Sequence, residues 1–312
     1  MSIALPEIGR PWRLALYGAK GMLARKIIEL APQDIEIKGY DLPEYDMTDS
    51  AQLSETLKAV RPDLILNCAA FTAVDACEER EEEARTINGV AVGSLAEKAA
   101  EYGALLVHIS TDYVFDGKAD KPYREDDPVG PLSAYGRTKL VGEQSILESD
   151  LERCLIVRTS WLYGPGGKNF VETILRLAAE RHELKVVADQ VGCPTFTGDL
   201  AQAVYALVSS VLKAEVEGRQ GQFGIYHFSN SGQCSWYDLA FEAVARARDM
   251  GHTLAVTKIV PIGTKDYPLP APRPAYSVFS KQKYAEETGQ VVPRWQEGLQ
   301  SYLEEELSCD AI

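Results

Sequence analysis

Short apolar runs alternating with amphipathic stretches constrain this chain more than any other feature. Strand-like runs cover residues 12–18, 35–41, 63–67, 104–109 and 153–158. Helix-like patterns lie between them, from the first run to about Leu30 and near 50–60, 86–102 and 132–148. Hairpins cannot join strands separated by whole helices, so the strands must run parallel with helical crossovers. The fold class expected is α/β, a doubly wound parallel sheet of the Rossmann kind with a smaller C-terminal substrate-binding lobe.

The texture changes near residue 160. Gly164-Pro165-Gly166-Gly167 and the Pro-rich run from Pro261 to Pro274 break the alternation, with helical stretches near 235–250 and 295–307. Residues 12–160 read as the dinucleotide-binding part and 161–312 as the smaller lobe, with some segments returning to the core. No linker divides them, so a cleft between lobes is expected.

Charge and composition exclude several classes. A net charge of −14 over 312 residues disfavours nucleic acid and anionic membranes as partners. It also requires any phosphate site to be locally basic, with Lys20, Lys168, Arg176 and Arg273 as candidates. No uncharged stretch approaches the roughly 18 residues that a membrane helix needs. Six scattered cysteines and four distant histidines suggest neither a disulfide framework nor a metal site, so a reduced cytoplasm is expected. Pro6 and Glu7 stand where a signal peptide would be apolar, and residues 1–11 read as a lead-in to the first strand. Cys309-Asp310-Ala311-Ile312 fits a prenylation box only formally, since Asp310 is not aliphatic.

The chemistry-bearing residues fall at strand ends. Gly18 closes the first strand, Gly21 lets the backbone approach a diphosphate, and the next helix presents its N-terminal amides to negative oxygen. Ala24 takes the third small position, so the spacing is Gly-x-x-Gly-x-x-Ala. Asp41, twenty residues past Gly21, can accept hydrogen bonds from an adenosine ribose and disfavours a 2′-phosphate, although Lys38 leaves the choice between NADH and NADPH open. Asp46 and Met47 can border the adenine. Ala70, Phe71 and Thr72 follow the third strand, where small residues let a cofactor pass close to the chain.

Tyr135 and Lys139 stand four apart on a helix and share a face. A tyrosine pKa of about 10 brought to roughly 7 takes about 4 kcal/mol. One ammonium about 4 Å away, at an effective dielectric near 20, supplies about that much. Lys139 is therefore expected to tune Tyr135 as a proton donor, with Thr111 orienting the oxygen that receives the proton. The acidic run Glu78–Glu83 reads as a solvated helix face.

Several motifs carry a resemblance over about Arg13 to Leu303. They are Asn67-Cys68-Ala69-Ala70-Phe71-Thr72-Ala73-Val74-Asp75, Ser110 to Gly117, Tyr135-Gly136-Arg137-Thr138-Lys139, Arg158 to Tyr163, and Asp189 to Thr195. Through them the chain resembles the dTDP-4-dehydrorhamnose reductase family of extended short-chain dehydrogenases/reductases. The resemblance implies Thr111, Tyr135 and Lys139 as a catalytic trio, and Gly21, Met22, Leu23, Asp41, Asp46, Met47, Ala70, Phe71 and Thr72 at NADH or NADPH. It puts Asp112 and Trp161 on a nucleotide-sugar substrate. Arg273, between two prolines, is a further candidate for the diphosphate of that substrate.

The reaction implied is reduction of the C4 ketone of dTDP-4-dehydro-6-deoxy-L-mannose to dTDP-L-rhamnose. Related dehydratases resemble this scaffold with Asp-Glu after the threonine, whereas here Asp112-Tyr113 follows, which favours simple reduction. Another nucleotide-sugar reductase or an epimerase remains open. So does a non-catalytic dinucleotide-binding subunit similar to the methionine adenosyltransferase beta subunit. A homodimer is compatible with all of these readings.

Overall fold

The computed structural model describes residues 3–307. The prenylation-like tetrapeptide lies outside the described residues. Strands β1 (Trp12–Tyr17), β2 (Ile35–Tyr40), β3 (Leu64–Asn67), β4 (Leu105–Thr111) and β5 (Cys154–Thr159) join the strand Gly224–His227 in one six-stranded sheet. Its order is Gly224–His227, β5, β4, β3, β1, β2, and every pairing is parallel. Every residue of β3 and β5 is buried, which is why these strands read as continuous apolar runs. β2 lies at the edge and exposes half of its residues, consistent with its charged sequence Ile-Glu-Ile-Lys-Gly-Tyr.

Helices cover both faces. On one face α1 (Met22–Glu29) packs with α8 (Thr197–Val216), through Leu23, Ile27, Leu200, Tyr205 and Leu207 against Leu14, Leu16, Leu66 and Val107. On the other, α2 (Ser50–Val60) and α5 (Ala91–Tyr102) bring Leu53, Leu57, Val92 and Leu95 against Ala15, Ile65, Leu106 and Ile156. Short helices α3 (Val74–Glu79) and α4 (Glu81–Arg85) precede α5, and α6 (Ala134–Leu147) follows β4. The Asp49 side chain caps α2 by accepting from the amides of Ala51 and Gln52, and Ser133 caps α6 by accepting from Gly136. Gly103, left-handed at φ 63°, ends α5.

The C-terminal part builds its own core. α7 (Phe170–Glu180) and α9 (Trp236–Asp249) pack on a parallel pair formed by Glu183–Val187 and Lys258–Ile262. α11 (Trp295–Leu307) adds Trp295, Leu299 and Tyr302 against Tyr163, Phe196 and Leu239. α10 (Gln282–Thr288) places Tyr284 back in the sheet's core. Among the described residues, no helix is long and apolar enough to cross a membrane.

Two features depart from the sequence reading. Residues 86–90 form a π-helical turn rather than the first turn of one long helix. The wider turn carries the buried Asn88, which accepts from the Phe71 amide at 2.8 Å and donates to the Phe71 carbonyl and the Thr138 hydroxyl, both at 3.1 Å. The acidic run is also not simply a solvated face. Glu78 accepts from the Ala134 amide at 2.8 Å, and Glu81 makes a bidentate pair with Arg137, so the run anchors the start of α6.

Beneath the sheet's carboxyl edge, Glu143 of α6 and Arg158 of β5 form a buried ion pair at 2.7 and 2.9 Å, and Ser110 of β4 donates to the same carboxylate at 2.5 Å. Replacing Arg158 with Met leaves Glu143 buried without its counterion and should cost about 3–5 kcal/mol. Urea unfolding should register this as a lower midpoint, and adding Glu143→Leu should restore most of the loss.

Candidate active site

The direction in which the sheet grows reverses between β1 and β3: β2 is laid down on one side of β1 and all later strands on the other. Ligands of open α/β sheets bind outside the carboxyl ends of strands at such a switch. Here it opens a cleft of about 990 Å³. That volume is at the upper end for small-molecule sites.

At the floor, Gly18 is left-handed at φ 76°, and a Cβ on it would lie 2.6 Å from the Ala69 amide nitrogen. The residue following β1 and the loop following β3 therefore touch backbone to backbone. Gly21 begins α1 and offers no side-chain cap, which leaves the first-turn amides of Met22, Leu23 and Ala24 directed to the cleft. This cradle fits a diphosphate. Asp41 fixes its far wall, accepting from the Lys20 amide at 2.6 Å and the Leu42 amide at 2.8 Å. Asp46 accepts from the amide and hydroxyl of Thr48, Met47 is buried beside it, and both line the cleft with Ala70, Phe71 and Thr72. Tyr17, Tyr40 and Tyr45 stack around this end with ring centroids 5.0 to 5.5 Å apart, an aromatic wall the sequence reading did not single out.

The opposite wall carries Thr111, Asp112, Tyr135 and Lys139. Thr111 ends β4, where its hydroxyl accepts from the Tyr113 amide at 3.2 Å and donates to Asp112 at 3.1 Å. Asp112 is 1% exposed and its Oδ2 has no hydrogen-bond partner. Burial pushes its carboxyl up to about 6, against the Ser277 and Thr111 hydroxyls, which favour the charged form. The Tyr135 ring stands edge-on to Tyr113 at 5.5 Å.

Lys139 also reaches the strand beneath its helix. Its Nζ donates to the Ile109 carbonyl at 2.6 Å and lies 3.1 Å from His108 Nε2. Burial raises the Tyr135 phenol above its ordinary value, the Thr111 hydroxyl lowers it, and Asp112 and Cys77 raise it further. Burial also lowers Lys139 to about 8, which weakens its hold on the proton while leaving it mostly an ammonium at neutral pH. Tyr135, its phenol raised, keeps its proton at neutral pH, the form a proton donor needs.

Trp161 lies beyond the threonine, in a left-handed backbone conformation at φ 48° that is uncommon for a bulky residue. Its indole stacks on Trp236 at 3.5 Å and 8°, and Trp236 Nε1 donates to Gln190 at 3.1 Å. The motifs around Trp161 and Cys193 are laced together: Ser160 donates to the Cys193 carbonyl at 2.7 Å, and Thr195 to the Ser160 carbonyl at 2.6 Å.

Not every candidate reaches the cleft. Arg273 is absent from its wall. The guanidinium makes a bidentate pair with Asp75 of α3, at 2.7 Å through Nη2, and fastens the Pro-rich run to that helix. Arg176 pairs with Glu180 on the surface of α7. Lys168 lines the cleft, as does Lys20, whose ammonium is bound to the Leu42 carbonyl and Glu44. His108, Asn88 and Trp236 were missed. A single histidine within Leu105-Leu106-Val107-His108-Ile109 was the one available signal for the first of these.

A family model described as the RmlD substrate binding domain matches residues 12–308. The chain is 41% identical to the spore coat polysaccharide biosynthesis protein SpsK of Bacillus subtilis over 300 residues, 96% of this chain and 99% of that protein. It is 40% identical to the dTDP-4-dehydrorhamnose reductase of Burkholderia thailandensis over 289 residues, covering 91% and 95% respectively. The crystal structure of the Bacillus anthracis dTDP-4-dehydrorhamnose reductase in complex with NADP superposes with a TM-score of 0.86 at 36% identity, covering 95% of this chain and 99% of that one.

Gly18→Ala tests the cradle. The added methyl meets the Ala69 backbone and the backbone must leave φ 76°, a strain of about 1–2 kcal/mol before the clash is counted. Titration of NADPH fluorescence should show at least roughly tenfold weaker binding, about 1.4 kcal/mol.

Proposed function

The chain belongs to the dTDP-4-dehydrorhamnose reductase family, and on that premise we propose that it reduces the C4 ketone of dTDP-4-dehydro-6-deoxy-L-mannose to dTDP-L-rhamnose with NADH or NADPH. The observation that carries the reading is the convergence of Thr111, Tyr135 and Lys139 on the wall facing the glycine cradle, in one cleft. Reduction of a ketone to an alcohol needs hydride at carbon and a proton at oxygen. The reduced nicotinamide supplies the hydride when it is bound.

In this reading Gly18, Gly21, Met22 and Leu23 hold the diphosphate through backbone groups. Asp41 takes a ribose, and Asp46, Met47, Ala70, Phe71 and Thr72 border the rest of the cofactor. Tyr135 gives its phenolic proton to the C4 oxygen. Thr111 orients that oxygen by hydrogen bonding, and Lys139 lines the cofactor side of the same wall. Asp112, with one buried oxygen unpartnered, has an acceptor left for a sugar hydroxyl. Trp161, backed by Trp236, offers a flat apolar face to a sugar ring or base. Arg273 acts at one remove, holding the Pro-rich run in position through Asp75. The proposal takes the enzyme to work in the cytoplasm on a diffusing nucleotide sugar, without nucleic acid, and light scattering would identify a homodimer.

Purified protein mixed with the keto-sugar nucleotide and NADH or NADPH should lose absorbance near 340 nm, roughly the reduced nicotinamide maximum. No oxidation of either cofactor, together with a stoichiometric synthetase partner in a pull-down, would reverse the reading in favour of a regulatory subunit. Tyr135→Phe should lower kcat by roughly 10²–10⁴-fold while cofactor affinity stays nearly unchanged, because it removes the proton and little else.

A further inference from the structure

The inner end of Lys139 meets an imidazole. His108 is 0% exposed in β4, with Nε2 at 3.1 Å from Lys139 Nζ and Nδ1 at 3.1 Å from Asn67 Nδ2. The far end of the Asn67 amide is fixed as well, because Oδ1 accepts from the Ala69 amide at 3.0 Å. A backbone N–H only donates, so turning the Asn67 amide over would set two donors against each other. Asn67 Nδ2 therefore donates to His108 Nδ1. That nitrogen carries the lone pair, and the proton of the neutral ring sits on Nε2, facing Lys139.

An ammonium has three donors and no acceptor, whereas an amine keeps one lone pair. With Nζ as an amine the chain closes without conflict: Nζ accepts from His108 Nε2 and donates to the Ile109 carbonyl. With Nζ as an ammonium, either two N–H groups face each other, or the ring proton moves to Nδ1 and meets the Asn67 amide. Both arrangements strand a buried donor.

We propose that Asn67 and His108 are positioning residues for the reaction: a hydrogen-bond chain of fixed polarity, anchored on the Ala69 amide, that lowers the proton affinity of Lys139. The inference rests on the reductase reading for its kinetic consequence and on geometry alone for the tautomer. Burial acts in the same direction, lowering Lys139 to about 8 and holding His108 well below its ordinary value. The charges that face Lys139 are Glu143, one turn along α6, and Cys68 after β3, both of which favour the ammonium. Neither dominates: Glu143 is paired with Arg158 of β5, and the Cys68 thiol is pushed up to about 12 by burial. Tyr135, the remaining ionisable group on this face of α6, is held neutral by its own burial.

Nitrogen-15 NMR of histidine-labelled protein reads the ring directly, with His108 assigned by the signal that His108→Gln removes. Wild-type protein should show His108 as the neutral Nε2–H tautomer, without substrate and whatever the protein turns over. Asn67→Asp keeps an acceptor for the Ala69 amide and presents a second to His108 Nδ1, so the tautomer should invert and expose the Nε2 lone pair to an ammonium. A nearby ammonium favours the phenolate that Tyr135 becomes on giving up its proton, so the alkaline limb of kcat/KM, expected near the lysine's value of about 8, should then rise by one pH unit or more, making the variant's relative activity above the limb roughly tenfold higher. A wild-type Nδ1–H tautomer overturns the proposal. So does a limb that moves in Asn67→Asp with no tautomer change, which would be a bare charge effect. Absence of any turnover would instead sink the reductase reading and leave the tautomer result to decide this one.

Discussion

The buried pair between Glu143 and Arg158 holds the reactive wall in register with the sheet. α6 carries Tyr135, Lys139 and Glu143 on successive turns, and β4 carries His108, Ser110 and Thr111 at alternating and terminal positions. Glu143 bonds both Arg158 of β5 and Ser110 of β4, so one carboxylate fixes the helix against two strands at once. A slide of α6 by a single residue would remove Glu143 from its counterion deep in the protein, and few local rearrangements are dearer. The phenol and the threonine hydroxyl inherit their relative position from that constraint.

Contacts made by backbone rather than by side chains fix the other half of the cleft. Gly18 against Ala69 brings the ends of β1 and β3 together, and Asn88 ties both the amide and the carbonyl of Phe71 to α6. The cradle and the reactive wall are thus joined through the loop at Phe71, and neither can shift alone.

The sheet was legible because its strands are buried on both faces and its helices are amphipathic. The expected strands at 12–18 and 35–41 and the helix at 50–60 agree with Trp12–Tyr17, Ile35–Tyr40 and Ser50–Val60. α8 was not read, since its 20 residues are mostly buried and give no one-sided stripe; nor was the strand Gly224–His227, a four-residue run beyond the change in texture. At the site, spacing located Thr111, Tyr135 and Lys139 in the cleft but could not show what else Lys139 touches. Helical spacing reports which residues share a face and says nothing of the strand beneath, where His108 waits. The place of Arg273 was hidden for a similar reason: its charge was visible, while the partner it meets, Asp75, lies 198 residues away.

The stacked indoles of Trp161 and Trp236 have an optical consequence. Rings 3.5 Å apart and within 8° of parallel are close enough for their electronic transitions to couple, so Trp161 and Trp236 should absorb as a pair rather than as two separate indoles. A ring that wedges against the outer face of that pair perturbs both indoles together, and a near-ultraviolet dichroism band split by their coupling changes shape rather than merely intensity. The protein therefore carries its own spectroscopic gauge of whether Trp161, where it lines the cleft, is engaged, with no label attached.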